Sequence, residues 1–222
     1  MESMRLRDLV LELLWPSFCQ QCQRLGPPLC RNCYNSLEFY FSQLFHQEMQ
    51  KRFPKVHADQ ILVCARLSGG LALLLKNFKY HNARNLAPFL ALLLHRHLLI
   101  PEADYLTFIP LHPRKLRQRG YNQCQEIALT LGKLLRLPVL NLLERPKYLS
   151  AQARVKSQQA RLERLEGAFT LTAGAKEKIS GQRILLLDDV LTTGATLNQA
   201  ASVLKLAGAR EIIGLVVASK AK

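Results

Sequence analysis

The run Arg183-Ile184-Leu185-Leu186-Leu187-Asp188-Asp189-Val190-Leu191-Thr192-Thr193-Gly194-Ala195-Thr196-Leu197 decides the fold. Its unbroken apolar stretch predicts a strand over Arg183–Leu187 that is buried on both faces, as in a parallel sheet covered by helices. The strand delivers two adjacent carboxylates, Asp188 and Asp189, at its C-terminal end. A loop of small residues then feeds a predicted helix over Thr196–Leu206, closed by Gly208. Open α/β sheets bind ligands at that edge. Gly194 permits unusual backbone angles, successive N–H groups of Thr192, Thr193, Gly194, Ala195 and Thr196 can converge on one anion, and the helix N-terminus favours a phosphate there. Two carboxylates facing that phosphate would repel it, so they suit neutral hydroxyl donors such as a sugar diol. Loop and acids together suggest a ribose 5-phosphate group. The plain alternative is that the acids only end a strand and the threonines only cap a helix, which each residue can do singly.

Outward from this run, strand and helix alternate. Tyr105–Pro110 reads as a strand, Asn122–Leu135 as a helix, Leu137–Leu142 as a weak strand and Ile212–Ala218 as another apolar strand. That order argues for an α/β parallel sheet flanked by helices. Upstream, Gln60–Ala65 reads as a strand, and Leu71, Leu74, Leu75 and Phe78 share one face of a helix that reaches Tyr80, with Lys76 and Lys79 mostly elsewhere on it. The first third reads as a small separate module. It comprises an amphipathic helix over 3–14, a Cys-rich stretch over Cys19–Cys33 and a helical stretch from Ser36 to Arg52.

In that stretch Cys19, Cys22, Cys30 and Cys33 supply two chelating pairs of thiolates, and tetrahedral zinc has the ligand number and softness that suit them. Gly26-Pro27-Pro28 helps turn the chain so that the pairs meet. The alternatives are two disulfides or four free thiols. A full shell of four protein ligands would make this zinc structural, stabilising a module too small to build its own core.

The chain has 222 residues with 31 Lys or Arg against 16 Asp or Glu, a net charge of +15 that favours anionic partners. Hydrophobic residues make up 49% and charged residues 21%, which excludes a disordered chain. Charged residues interrupt the first nineteen positions, so no secretory signal is expected, and no apolar run reaches the roughly 18–20 residues of a membrane helix. A cytoplasmic protein without a membrane span is the expectation. Nine charges of the surplus lie between Leu111 and Leu165. There a basic loop, Ile109–Gln123, places Arg114, Lys115, Arg117 and Arg119 directly after a predicted strand, on the same sheet edge as the acid pair. Arginine forks suit phosphate, so this loop is expected to face a pyrophosphate rather than solvent alone.

The strand, the two acids and Thr-Thr-Gly-x-Thr closely resemble the PRPP-binding motif of type I phosphoribosyltransferases. That resemblance implies that Asp188 and Asp189 hold the ribose hydroxyls, while Thr192, Thr193, Gly194, Ala195 and Thr196 hold the 5-phosphate. With the Cys pairs, Lys76-Asn77-Phe78-Lys79-Tyr80, the basic loop, and Arg145 to Phe169 with Gln152 and Arg161, nearly the whole chain is similar to the ComF family. That family is associated with competence for DNA uptake and joins a zinc-finger-like N-terminal part to a phosphoribosyltransferase domain. Its members often carry Asn where Arg164 stands. The resemblance implies a zinc-binding module over 1–55, a phosphoribosyltransferase-like domain over 56–222, and PRPP with Mg²⁺ as ligand. A transferase would release pyrophosphate on transfer to an acceptor, with Arg114, Arg117 and Arg119 facing the leaving group and Tyr148–Arg161 closing over the site. A non-catalytic PRPP or nucleotide sensor that handles single-stranded DNA is the alternative, with DNA or competence-machinery proteins as partners. Phe39, Tyr40, Phe41, Phe78, Tyr80 and Tyr121 are then candidates to stack on bases, although their helical spacing also suits a core. A transcriptional regulator ranks last, since no helix-turn-helix pattern is evident.

Overall fold

The computed structural model describes residues 18–40, 44–80, 83–146 and 167–220. The expected helix over 3–14, the segment Ser150–Leu165, the closing loop Tyr148–Arg161 and Gln152, Arg161 and Arg164 lie outside these residues.

Two strands of nine residues form the middle of the molecule. In chain order, β1 is Gln60–Arg66, β2 Tyr105–Phe108, β3 Leu143–Glu144, β4 Thr170–Leu171, β5 Arg183–Leu191 and β6 Glu211–Ser219. The main sheet has the order β1-β6-β5-β2, and all its pairings are parallel. β5 and β6 are buried along almost their whole length because both faces are covered. The helices are α1 (Arg31–Asn35), α2 (Leu44–Gln50), α3 (Gly69–Tyr80), α4 (Ala87–His97), α5 (Pro113–Arg119), α6 (Gln123–Leu135), α7 (Ala175–Ile179) and α8 (Ala195–Leu206). Contacts concentrate where α6 meets α4 and β2, and where α8 lies on β5 and β6. Gly214 in β6 allows α8 this close, since a Cβ there would lie 2.8 Å from Leu197 Cδ2. A single hydrophobic cluster runs from Cys19, Leu29 and Leu37 through the sheet.

Four expectations change in detail. The predicted strand over 183–187 continues to Leu191, because β6 pairs with it that far and the Ser219 hydroxyl donates to the Leu191 carbonyl at 3.1 Å. The weak strand over 137–142 reduces to a parallel bridge of Val139 with Leu106, followed by the short antiparallel pair β3 and β4. The continuous helix expected over Ser36–Arg52 is broken. Phe39 forms an antiparallel bridge with Ala65 and the Tyr40 N–H donates to the Cys64 carbonyl at 3.0 Å, so the free edge of β1 claims this backbone before α2 begins. The basic loop contains a helix. Pro113 opens α5, His112 Nδ1 accepts from the Arg114 N–H at 3.0 Å, and Gly120 closes it at φ 80°.

Candidate active site and metal centre

All strands of the main sheet end on one side, and β5 carries Asp188 and Asp189 there. Both are nearly buried, at 8% and 4% exposure. Their surroundings come from four further places in the chain. The Cys124 thiol, on the first turn of α6, donates to Asp188 Oδ1 at 3.7 Å. Asn122 sets that turn by accepting from the Cys124 N–H at 3.0 Å. The Cys124 sulfur and an oxygen from each Asp all lie within 4.8 Å of one another. Lys79 Nζ, on the last turn of α3, lies 2.6 Å from Asp189 Oδ2.

Burial and then the neighbouring charge of Asp189 push the Asp188 carboxyl up to about 7. Burial and then both carboxylates push the Cys124 thiol up as well. For Lys79 burial opposes the charge, but Asp189 and Asp188 outweigh it and the ammonium is held up. Lys115 is lowered by burial and then by the charges of Arg145, Arg119 and Lys79. Arg145 lies over the Phe169 ring at 5.1 Å and acts on Asp188. On α5 the helical period divides the basic residues. Lys115 and Arg119 are half-buried on the inner face, whereas Arg114 and Arg117 stand exposed. Arg119 donates to Gln123 Oε1 and lies over the Tyr80 ring at 5.5 Å.

The loop after β5 ends at Gly194, which has φ 85° and precedes the first residue of α8. Met49 from α2 packs against it so closely that a Cβ at 194 would lie 2.6 Å from the sulfur. Arg52 Nη1 donates to the Thr192 carbonyl at 3.3 Å, and Thr193 Oγ1 accepts from the Ala195 N–H at 3.4 Å. Asn198 of α8 accepts from the His57 N–H and donates to the Lys55 carbonyl. Residues 49–57 thus brace the loop from outside. A cavity of about 200 Å³ opens beside Arg145, between Phe108, Pro110, Leu116, Asn122 and Leu143.

The four N-terminal cysteines also meet. Their sulfurs lie within 4.8 Å of one another, with Cys22 and Cys30 at 3.6 Å, and none is in a disulfide. A zinc tetrahedron with bonds of about 2.3 Å has edges of comparable length. Burial raises the Cys19 thiol, but N–H groups of Cys22, Cys30 and Gln21 outweigh this and bring it to about 6. Burial and then the adjacent thiols push Cys33 up to about 12. Four such groups cannot all ionise without a cation among them, and this donor set could hold zinc.

Lys79, Cys124 and Arg145 complete the acid site and were not among the expected site residues. Lys79 carried a signal, since it follows Leu71 and Leu75 at four-residue steps and so borders the buried stripe of α3. Cys124 and Arg145 carried none, because their roles depend on how distant segments pack.

A family model described as the phosphoribosyl transferase domain matches residues 133–222. Competence protein F of Haemophilus influenzae is 31% identical over 206 residues, covering 87% of this chain and 86% of that protein. Competence protein ComFC of Streptococcus pneumoniae is 35% identical over 106 residues, or 47% of this chain and 43% of its own. The DNA utilization protein YhgH of Salmonella typhi is 29% identical over 153 residues, 64% of each chain. Among the described residues no helix is long and apolar enough to cross a membrane.

Proposed function

The chain belongs to the ComF family, proteins with a phosphoribosyltransferase domain, and from that premise we propose that it binds PRPP with Mg²⁺ at the C-terminal edge of the β5 strand and works in competence-linked DNA handling. The observation that carries this reading is the buried Asp188–Asp189 pair, which stands just before a glycine-closed turn at the head of α8, with Lys79 on Asp189 and Arg145 acting on Asp188. The turn Thr192–Thr196 takes the 5-phosphate through its N–H groups and hydroxyls. Asp188 and Asp189 accept from the ribose hydroxyls. The inner cations Lys115 and Arg119, with Arg114 and Arg117 on the outer face of α5, attract the pyrophosphate. Mg²⁺ bound to the ligand neutralises part of the pyrophosphate charge.

Transfer, in this reading, breaks the bond from C1 of the ribose to pyrophosphate and forms a bond from C1 to an acceptor, whose proton is lost to solvent. Positioning and neutralisation of the leaving group carry the catalysis. The cavity beside Arg145 has the size for a small ring as acceptor. Residues 1–55 act as the module that holds structural zinc, and 56–222 as the phosphoribosyltransferase-like domain, in a cytoplasmic protein.

Calorimetric titration of PRPP with Mg²⁺ into the full chain tests the binding, and pyrophosphate release with added nucleobases tests transfer. Binding is expected for the native chain and not for the Asp188→Asn/Asp189→Asn variant; equal behaviour of the two rejects the site. Single-stranded DNA is the second ligand of this reading, favoured by Tyr80, 71% exposed beside Arg119, and by the charge of +15. Its affinity is expected to fall steeply with salt, and a salt-independent affinity removes it. Pull-down with competence-machinery proteins tests the remaining partner class.

A further inference from the structure

The ion pair between α3 and β5 stands in the path of the ligand. Lys79 is the more exposed partner, its side chain at 22% against 6% for Asp189, so the ammonium covers the carboxylate on the solvent side. A ribose hydroxyl that donates to Asp189 Oδ2 competes with the ammonium held there at 2.6 Å. A ligand that takes this oxygen therefore weakens the ion pair. The displaced charge is not stranded, because the groups facing it already suit an anion. Besides Asp189, Asp188 and Cys124 act on the ammonium, Arg145 from the segment after β3 acts on Asp188, and Lys115 of α5 is acted on by Arg145, Arg119 and Lys79. Cations outnumber carboxylates among these groups, a surplus that an arriving polyphosphate would balance.

We propose that Lys79 is an exchanging counter-cation. Without ligand it neutralises Asp189, and when a phosphorylated ribose bearing a pyrophosphate binds, it leaves Asp189 for the pyrophosphate, so that the carboxylate is freed only as the anion arrives. The idea rests on the PRPP reading above and adds a specificity device to it. A ribose phosphate that lacks the pyrophosphate weakens the same ion pair and offers Lys79 nothing in return. The site thereby discriminates between the donor and its pyrophosphate-free counterpart through one side chain.

The test compares two ligands, PRPP with Mg²⁺ and ribose 5-phosphate with Mg²⁺, by calorimetry on the full chain. For Lys79→Met the ratio of the two affinities is expected to fall about tenfold or more, the worth of one hydrogen bond to a charged group. PRPP weakens, while ribose 5-phosphate binds as well as to the native chain or better, since no ion pair is weakened. Lys79→Arg is expected to keep most of the preference. Melting temperature and zinc content serve as fold controls, and Lys79→Gln, whose amide can still donate to Asp189, replaces the Met variant if that one does not fold. A parallel loss of both ligands marks Lys79 as merely structural and overturns the proposal, as does an unchanged ratio. A native chain that binds neither ligand overturns the PRPP reading itself and this proposal with it.

Discussion

Two clusters of ionisable groups lie at opposite ends of the chain, and they solve the same electrostatic problem differently. At Cys19, Cys30 and Cys33 the strongest influences are burial, backbone N–H groups and the neighbouring thiols. At Asp188, Asp189 and Cys124 an ammonium from the protein is already in place, 2.6 Å from Asp189. In the proposed reading the first cluster is completed by an external cation that stays, and the second carries an internal one that is exchanged. A divalent ion held by four thiolates has no reason to leave, which suits a structural centre. A lysine held by a single ion pair can move, which suits a site where ligands come and go.

Removing the external cation is the most drastic way to break this comparison. Chelation, or Cys19→Ser, is expected to melt the segment around residues 18–40 and to lower the melting temperature more than any other change proposed here, with one zinc lost per chain by metal analysis. A chain whose stability responds to reductant and not to chelator would instead hold disulfides. The next effect is on binding. The Asp188→Asn/Asp189→Asn variant is expected to lose PRPP binding in calorimetry, and its melting temperature is read alongside because Lys79 loses its carboxylate partner.

A smaller effect is expected at the turn that follows the acid pair. Gly194→Ala places a Cβ against the Met49 sulfur and forces a side chain into a left-handed conformation, at a cost of about 1–3 kcal/mol in denaturant melts. Adding Met49→Ala should recover the steric part and leave the backbone part. Full recovery would show that φ at 194 matters little.

The last change concerns pH. The native Asp188 carboxyl, raised to about 7 against an ordinary 3.8, holds its proton where the unfolded chain has lost it. Native stability from this group is therefore present at low pH and is lost as pH rises through the interval up to about 7. Asp188→Asn should gain a few degrees of melting temperature relative to the native chain at pH 8 and progressively less toward pH 4. A gain that is flat with pH would show that Asp188 is ionised throughout.

Much of this was legible before any coordinates. The apolar run before Asp188 announced a doubly covered strand, and the glycine and threonines after it announced a helix start. The spacing of the cysteines announced a four-sulfur cluster, which the structure brings together. The misreadings have local causes too. Residues 36–52 are rich in aromatic residues that serve a helix or a strand, and the open edge of β1 settled the choice at Phe39 and Tyr40. The basic run after Pro113 drew attention to its charge and away from the proline, the histidine cap and the closing glycine that make it helical.

By itself the amino-acid sequence determined the strands of the main sheet, the sheet class, the acid pair at a strand end and the grouping of the four cysteines. All of these follow from periodicity and spacing within a short stretch of chain. Only the tertiary structure decided that Lys79 guards Asp189, that Cys124 donates to Asp188, that Met49 and Arg52 brace the turn at Gly194, and that two of the four α5 cations face inward. Such pairings depend on which distant surfaces come into contact, and periodicity carries no information about distant partners. An ion pair acquires its strength only once packing has excluded the water that would screen it.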